Sequence, residues 1–474
     1  MSKMLSLPSY LLGQPVKGQA WLDVSDPFTS QQVGQVGTIS AAQLDDCIEQ
    51  HLACRVLLTR YERSQILRKT ASLLESRRES LARLITAEAG LALRETRYEV
   101  GRACDVFSFA AMEALRDDGQ IFSCDVSPTG KARKIFTLRE PLGLVAAITP
   151  FNHPLNQVAH KLAPAIAAGA PVILKPSEKT PLTAVRLVEL LYEAGLPGEM
   201  LSCVHGGLED VTRRLVQDPR IDLVTFTGSA AVGKEIARTA GYKKTCLELG
   251  GHSPLIVLHD ADLDLAAKLA CEGSFRNSGQ RCTAVRRLLV HHSILEPFTR
   301  KFAELAKTYI CGNPADEATV VGTVIDETAA AKLQHAVDDA VKRGAAVLAG
   351  GQRKGALMPP TILSNVSRTA QMATQECFGP LAPIFAIQDL DDAIEFANAT
   401  PYGLSSGIVT NSLPAALHAI KQIRAGTVNV NEIPGYRLEL SPFGGIKDSG
   451  LGIKEGVIEA IKFMTTVKTY SLPW

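Results

Sequence analysis

Between residues 134 and 229, short apolar runs alternate with amphipathic stretches, and no other feature constrains the fold as strongly. "KIFTLRE" reads as a strand, Pro141-Leu142-Gly143 as a turn and "LVAAIT" as a buried strand. A helix over 157–168 follows, then the strand "PVILKPS", a helix in "LTAVRLVELLYEAG", and the strands "LSCVHG" and "LVTFTGS". Wholly apolar strands are buried on both faces. Strands separated by helices and short turns lie parallel, so this region predicts a doubly wound α/β sheet. Upstream, "RSQILRKTASLLESRRESLARLITAEAG" repeats apolar residues at i, i+3 and i+4 and stops at Gly90, which predicts helices from Glu62 to about Leu115.

A second series starts near Ser253. It holds "SPLIVLH", a helix over 263–273, "AVRRLLVHH", a helix over 298–310 and "APIFAIQ". Two doubly wound, Rossmann-like α/β units are therefore expected. "GQIFSCDVSPTGKARKIFTLRE" reads as a β-hairpin arm. The C-terminal "FMTTVKTYSLPW" alternates like an exposed strand, and such a strand needs a partner edge, which points to contact between subunits.

Composition excludes several function classes. Lys and Arg number 50 against 49 Asp and Glu, a net charge of +1, so no global field draws in nucleic acid. The longest apolar stretch, "LAPAIAAGAPVILK", is short and broken by Pro164, Gly169 and Pro171, and no membrane span is expected. "MSKMLSLPSYLLGQP" has no clear signal-peptide pattern. The 10 cysteines lack framework spacing, which suggests reduced thiols and a cytoplasmic setting. None has a C-x-x-C partner, and no metal is expected.

Five stretches carry candidate chemistry. In "FRNSGQRCTAVRR", Cys282 sits in a polar turn beside Arg281, a setting that lowers a thiol pKa, and reads as a reactive thiolate or a buried, idle thiol. In "TCLELGGHSP", Glu248 precedes two glycines and reads as a general base or a solvated turn carboxylate. In "ITPFNHPLN", the Asn152 amide donates to a developing oxyanion or caps the next helix. In "ILKPSEKTP", Lys175 and Glu178 leave a buried strand at its carboxyl end, where α/β proteins bind ligands. In "VTFTGSAAVGKEIA", Gly228-Ser229 follows a strand and Gly233 opens a helix, an arrangement that suits phosphate.

The ordered motifs "PFNHP", "KPSEKTP", "FTGSAAVG", "LELGGHSP", "GQRCTA" and "ECFGP" resemble the NAD(P)-dependent aldehyde dehydrogenase superfamily, over nearly the whole chain. That resemblance implies a nucleophile at Cys282, a general base at Glu248, and an oxyanion donor at Asn152 beside the Cys282 N–H. It implies that Lys175 and Glu178 bind the adenine-side ribose and that Gly228, Ser229 and Gly233 lie at the pyrophosphate. Glu376 would hold the nicotinamide-side ribose, with Phe378, Thr149 and Pro150 nearby. It further implies an NAD-binding domain over 1–118 and 141–247, an oligomerisation arm over 119–140 and 458–474, and a catalytic domain over 248–457. A homodimer or homotetramer would follow. Members that pass the acyl group to coenzyme A typically lack the glutamate, so Glu248 implies hydrolysis. A retired enzyme would be expected to lose one of Cys282, Glu248 and Asn152, and all three are here.

Glu178 would repel a 2′-phosphate and accept from a 2′-hydroxyl, which favours NAD over NADP. Arg102, His153, Arg281 and Arg437 fall on positions that line or cover the family's substrate tunnel. Unless they serve as ion-pair partners, they suit a small anionic aldehyde. "TPFNHPLNQVAHK", "GQRCTAVRR" and "RLELSPFGGIKDSGLG" most resemble members that oxidise phosphonoacetaldehyde to phosphonoacetate. Glyceraldehyde 3-phosphate, succinate semialdehyde and sulfoacetaldehyde are the alternatives.

Overall fold

Two seven-stranded sheets form the body of the protein. The computed structural model describes residues 4–53, 56–452 and 455–474. The first sheet runs, in spatial order, Lys244–Glu248, Leu223–Thr227, Val145–Ile148, Val172–Lys175 and Leu201–Cys203, all parallel. Two short N-terminal strands, Ser9–Leu11 and Gln14–Val16, extend its far edge antiparallel. The second sheet runs Ala346–Ala349, Thr361–Ser364, Leu381–Ile387, Val285–His291, Ser253–Val257, Ser405–Val409 and Thr427–Val430. It is parallel except at its Ala346–Ala349 edge. The expected pair of doubly wound units is present.

The chain reverses its direction of winding in the first sheet between Val145–Ile148 and Leu223–Thr227, so a crevice opens at their carboxyl ends. Register places Lys175, Ile148, Phe226 and Leu247 in one row. The loops after that row begin with Thr149, Gly228 and Leu249, the last directly after the strand residue Glu248.

Asn156–Ala168 packs under this crevice with every residue buried, including Lys161. Its first N–H groups are not capped by Asn152. Glu99, from the helix Leu93–Glu113, takes the amides of Leu155 and Asn156 at 2.8 and 3.0 Å. Lys161 pairs with buried Glu455, which also accepts from Thr225 at 3.3 Å. This pair ties the C-terminal segment to the first sheet.

The hairpin arm forms as expected, with Ile121–Ser123 antiparallel to Arg133–Pro141. The C-terminal strand, Thr465–Pro473, corrects one expectation. Its partner edge is Arg133–Pro141 of the same chain, paired from Thr465↔Pro141 to Pro473↔Arg133. Backbone pairing is met internally, so that strand alone does not require a second subunit.

Lys161→Met should lower stability by about 3–5 kcal/mol, because it strands a buried Glu455 charge. Lys161→Met/Glu455→Leu should recover most of the loss in thermal melts. Equal melts for the single variant and the parent would show that the pair holds nothing.

Candidate active site

Cys282 lies at the meeting point of two cavities. One, of about 670 Å³, is lined by Pro150, Phe151, Asn152, Gly228, Ser229, Glu248, Glu376 and Phe378. The other, of about 240 Å³, is lined by Arg102, His153, Arg281, Arg437 and Phe443. Of the described residues, Cys282 and Gln157 line both.

The sulfur is held there by an unusual turn. Asn277, Ser278 and Gly279 take left-handed φ values of 56°, 52° and 66° in succession. Each non-glycine residue in that region costs roughly 1–2 kcal/mol, so the surroundings must fix the conformation. Asn152 Nδ2 donates to Gln280 O at 2.9 Å, and Asn277 Nδ2 donates to Asn152 O at 3.1 Å. Gln280 Oε1 accepts from the Ile325 amide at 2.9 Å. A Cβ on Gly279 would come within 2.2 Å of Gly379 O, so this position requires glycine twice over.

Arg286, which reading the sequence missed, completes the anchorage. It is buried and donates to Gly279 O at 2.5 Å, Arg281 O at 3.1 Å and Gly379 O at 2.7 Å. It thereby ties the cysteine turn to the loop carrying Glu376 and Phe378. Its guanidinium lies 5.4 Å from the Phe378 ring centre.

The flanking-charge argument for a thiolate is overturned. Burial pushes the Cys282 thiol up to about 11; Arg437, and then Arg281, lower it, while Glu248 and Glu376 raise it further. Four pH units above neutrality leave about one site in 10⁴ ionised. Arg437, far along the chain, is the stronger of the two favourable cations. Arg281 instead donates its Nη2 to Glu272 O and Gly273 O, near the end of the helix Leu263–Phe275, at 2.8 and 2.7 Å. Burial pushes it down to about 10.

The larger cavity fits a dinucleotide. Ser229 caps the helix Ala230–Thr239, accepting from the Val232 amide, so the helix N-terminus opens beside the cavity. That helix starts before Gly233, which lies in its first turn; a Cβ there would strike Leu249 at 2.2 Å. Glu376 is half-buried and accepts from the Gly251 amide at 3.0 Å, and desolvation raises its carboxyl. A Cβ on Gly250 would come within 2.3 Å of Glu376 Oε2. Lys175 and Glu178 pair with each other at 3.2 Å and, like Thr149 and Gly233, lie outside this cavity's lining. Phe378 packs edge-on against Phe151, ring centres 5.9 Å apart.

The Cys282 amide donates no hydrogen bond to another described residue, and Asn152 Nδ2 has a second hydrogen. Both are available to an oxyanion. Buried Glu248 lines the same cavity as the sulfur. The sequence model of the aldehyde dehydrogenase family matches residues 15–470. The chain belongs to the aldehyde dehydrogenase family.

Other aldehyde dehydrogenases are similar over nearly their full length. The 3-sulfolactaldehyde dehydrogenase of Priestia aryabhattai is 40% identical over 445 residues, covering 94% of this chain and 93% of that protein. The crystal structure of aldehyde dehydrogenase 21 from Physcomitrella patens, in complex with the reaction product succinate, superposes with a TM-score of 0.96 at 36% identity, covering 99% of each chain. The NADP-dependent glyceraldehyde-3-phosphate dehydrogenase of Bacillus halodurans C-125, complexed with NADP, matches with a TM-score of 0.96 at 34% identity, covering 99% of this chain and 100% of that one. As a member of the family the protein is an oxidoreductase acting on aldehydes.

Alkylation of Cys282 by iodoacetamide, followed by peptide mapping, should accelerate about tenfold per pH unit between pH 7 and 10. Arg437→Ala should slow it by up to about tenfold at pH 8. A rate that levels off below pH 9 would contradict a burial-raised thiol.

Proposed function

We propose that this aldehyde dehydrogenase oxidises a small anionic aldehyde with NAD, through a covalent intermediate on Cys282. The observation that carries the reading is the junction at the sulfur. A cavity suited to a dinucleotide lies on one side, and one lined by four arginines lies on the other: Arg276, paired with Glu95, and Arg102, Arg281 and Arg437.

With the thiol's pKa raised, the proton must leave as the aldehyde arrives. Glu248, in the same cavity, takes it, and the sulfur adds to the carbonyl carbon. The new oxyanion accepts from Asn152 Nδ2 and the Cys282 N–H. Losing one such donor typically costs about 3–4 kcal/mol of barrier. The dinucleotide, when bound, supplies the hydride acceptor. Oxidation leaves a thioester on Cys282. Once Glu248 has passed that proton to solvent, it takes a proton from water, whose oxygen attacks the thioester carbon, and the sulfur departs with the acid released.

Arg102, Arg281 and Arg437 receive the anionic head group, with His153 beside them. His153 lies 3.4 Å from Glu99, and burial lowers its pKa, so it serves as a neutral hydrogen-bonding partner. The names of the relatives support an anionic substrate: sulfolactaldehyde, glyceraldehyde 3-phosphate, and succinate as a product. A tetrahedral anion on a two-carbon aldehyde suits a cavity of about 240 Å³, and we assign phosphonoacetaldehyde. A carboxylate at Glu178 would disfavour a 2′-phosphate brought beside it, and NAD is the assigned partner. The hairpin arm and Thr465–Pro473 leave Ile121, Phe122, Val467 and Leu472 exposed, which supports a homo-oligomer built through this arm. The proposed division is 1–118 and 141–247 for the dinucleotide, 248–457 for catalysis, and 119–140 with 458–474 for assembly.

A panel of kcat/KM values tests this. Phosphonoacetaldehyde should exceed propanal by about 100-fold, and exceed glyceraldehyde 3-phosphate, succinate semialdehyde and sulfoacetaldehyde by roughly tenfold. Cys282→Ala should end turnover with NAD binding intact, and Arg437→Ala should raise KM for the anionic aldehydes alone. A tenfold advantage for glyceraldehyde 3-phosphate would displace the assignment.

A further inference from the structure

One carboxylate engages three cationic or hydrogen-donating side chains behind the smaller cavity. Glu439 is buried; its Oε1 accepts from Arg102 Nε, and its Oε2 accepts from His160 Nε2 at 2.6 Å and lies 3.7 Å from Arg437 Nη2. These partners come from separate segments: the helix Leu93–Glu113, the helix Asn156–Ala168, and the loop two residues before Glu439 itself. Burial alone would push the Glu439 carboxyl up. Arg102, then His160 and Arg437, outweigh burial and hold it well below the usual carboxylate range.

The contact to Arg102 uses the inner Nε. Among the described residues, the terminal nitrogens of Arg102 have no hydrogen-bond partner. Arg437 likewise makes no hydrogen bond there, and its guanidinium lies 3.9 Å from the Phe443 ring centre. Both arginines line the cavity next to Cys282. The carboxylate therefore offsets part of the pair's charge and anchors both arginines while leaving their outer N–H groups available. Two guanidinium groups held on one carboxylate repel each other, and the shared counter-ion offsets that repulsion.

We propose that Glu439 is a positioning residue for substrate choice: it holds Arg102 and Arg437 side by side, so that together they meet the anionic head of the aldehyde. This rests on the anionic-aldehyde reading above. Removing the Glu439 charge has two opposite consequences. The cavity becomes more positive, which draws an anion in, and the two arginines lose their anchor, which spoils the paired geometry. Forked contacts depend on alignment, and a displacement of about 1 Å can cost roughly 100-fold, so the geometric loss dominates.

The experiment compares the full-length parent, Glu439→Gln and Glu439→Asp with phosphonoacetaldehyde and with propanal at saturating NAD. Glu439→Gln should raise KM for phosphonoacetaldehyde roughly tenfold or more, with a much smaller rise for propanal and a kcat loss below about threefold. Glu439→Asp keeps the charge on a shorter stem and should move the same KM by about threefold; it carries the test if the Gln variant does not fold. Equal increases for both aldehydes would reduce Glu439 to a structural part and overturn the proposal. So would an unchanged or lower KM for phosphonoacetaldehyde, which would mean that Glu439 only attenuates charge. If the parent shows no preference for the anionic aldehyde, the substrate reading itself fails and takes this inference with it. If that preference holds and the variants do not respond, only the role of Glu439 is lost.

Discussion

Two crossed amide hydrogen bonds, Asn152 Nδ2 to Gln280 O and Asn277 Nδ2 to Asn152 O, fix the place where the two sheets meet. They join a loop leaving the first sheet to the turn that enters the second. They help to hold Asn277 and Ser278 in left-handed conformations and to keep the sulfur between the two cavities. Arg286 braces the same turn from the opposite side, on carbonyls of two loops. A strained turn, a buried cation and the proposed nucleophile therefore form a single structural unit. The strain persists because three independent contacts over-determine it.

Burial is the common cost in this site. It pushes the thiol up and Arg281 down, and it raises Glu376. The protein answers with pairings that satisfy charge without filling the cavities. Glu99 lies against two amides at a helix start, Arg281 against carbonyls near a helix end, and Glu439 behind Arg102, Arg437 and His160. Burial favours the thiol form of the resting sulfur, and in the proposed reaction its chemistry begins when a substrate arrives. That arrangement limits idle reactivity with other electrophiles.

Much of the fold was legible because buried parallel strands and amphipathic helices leave strong local patterns. Gly90 ends its helix in the left-handed conformation, as its position suggested. The three-residue strands Ser9–Leu11 and Gln14–Val16 were missed, being too short to establish a period. The helix expected over 298–310 runs Leu295–Ala306, since 307–310 turns back toward Val320 and Val321. Cys282, Glu248 and Asn152 were legible through motif order, and all three line one cavity. Glu99, Arg286 and Glu439 were not. Their partners include groups as far as 337 residues away and backbone carbonyls, and no local pattern marks those. The sign of the thiol shift was missed for the same reason: flanking charges are visible in sequence, whereas desolvation is a property of the folded chain.

The central claim is that the Cys282 sulfur carries the acyl group and Glu248 drives its release. Mixing Glu248→Gln protein with NAD and phosphonoacetaldehyde, quenching in acid and mapping peptides by mass spectrometry tests both at once. The account predicts one burst of NADH per subunit and an acyl adduct on the Cys282 peptide that outlasts the parent's by about 100-fold or more. NADH formed with the adduct on another side chain, or steady turnover with no adduct at all, would contradict it.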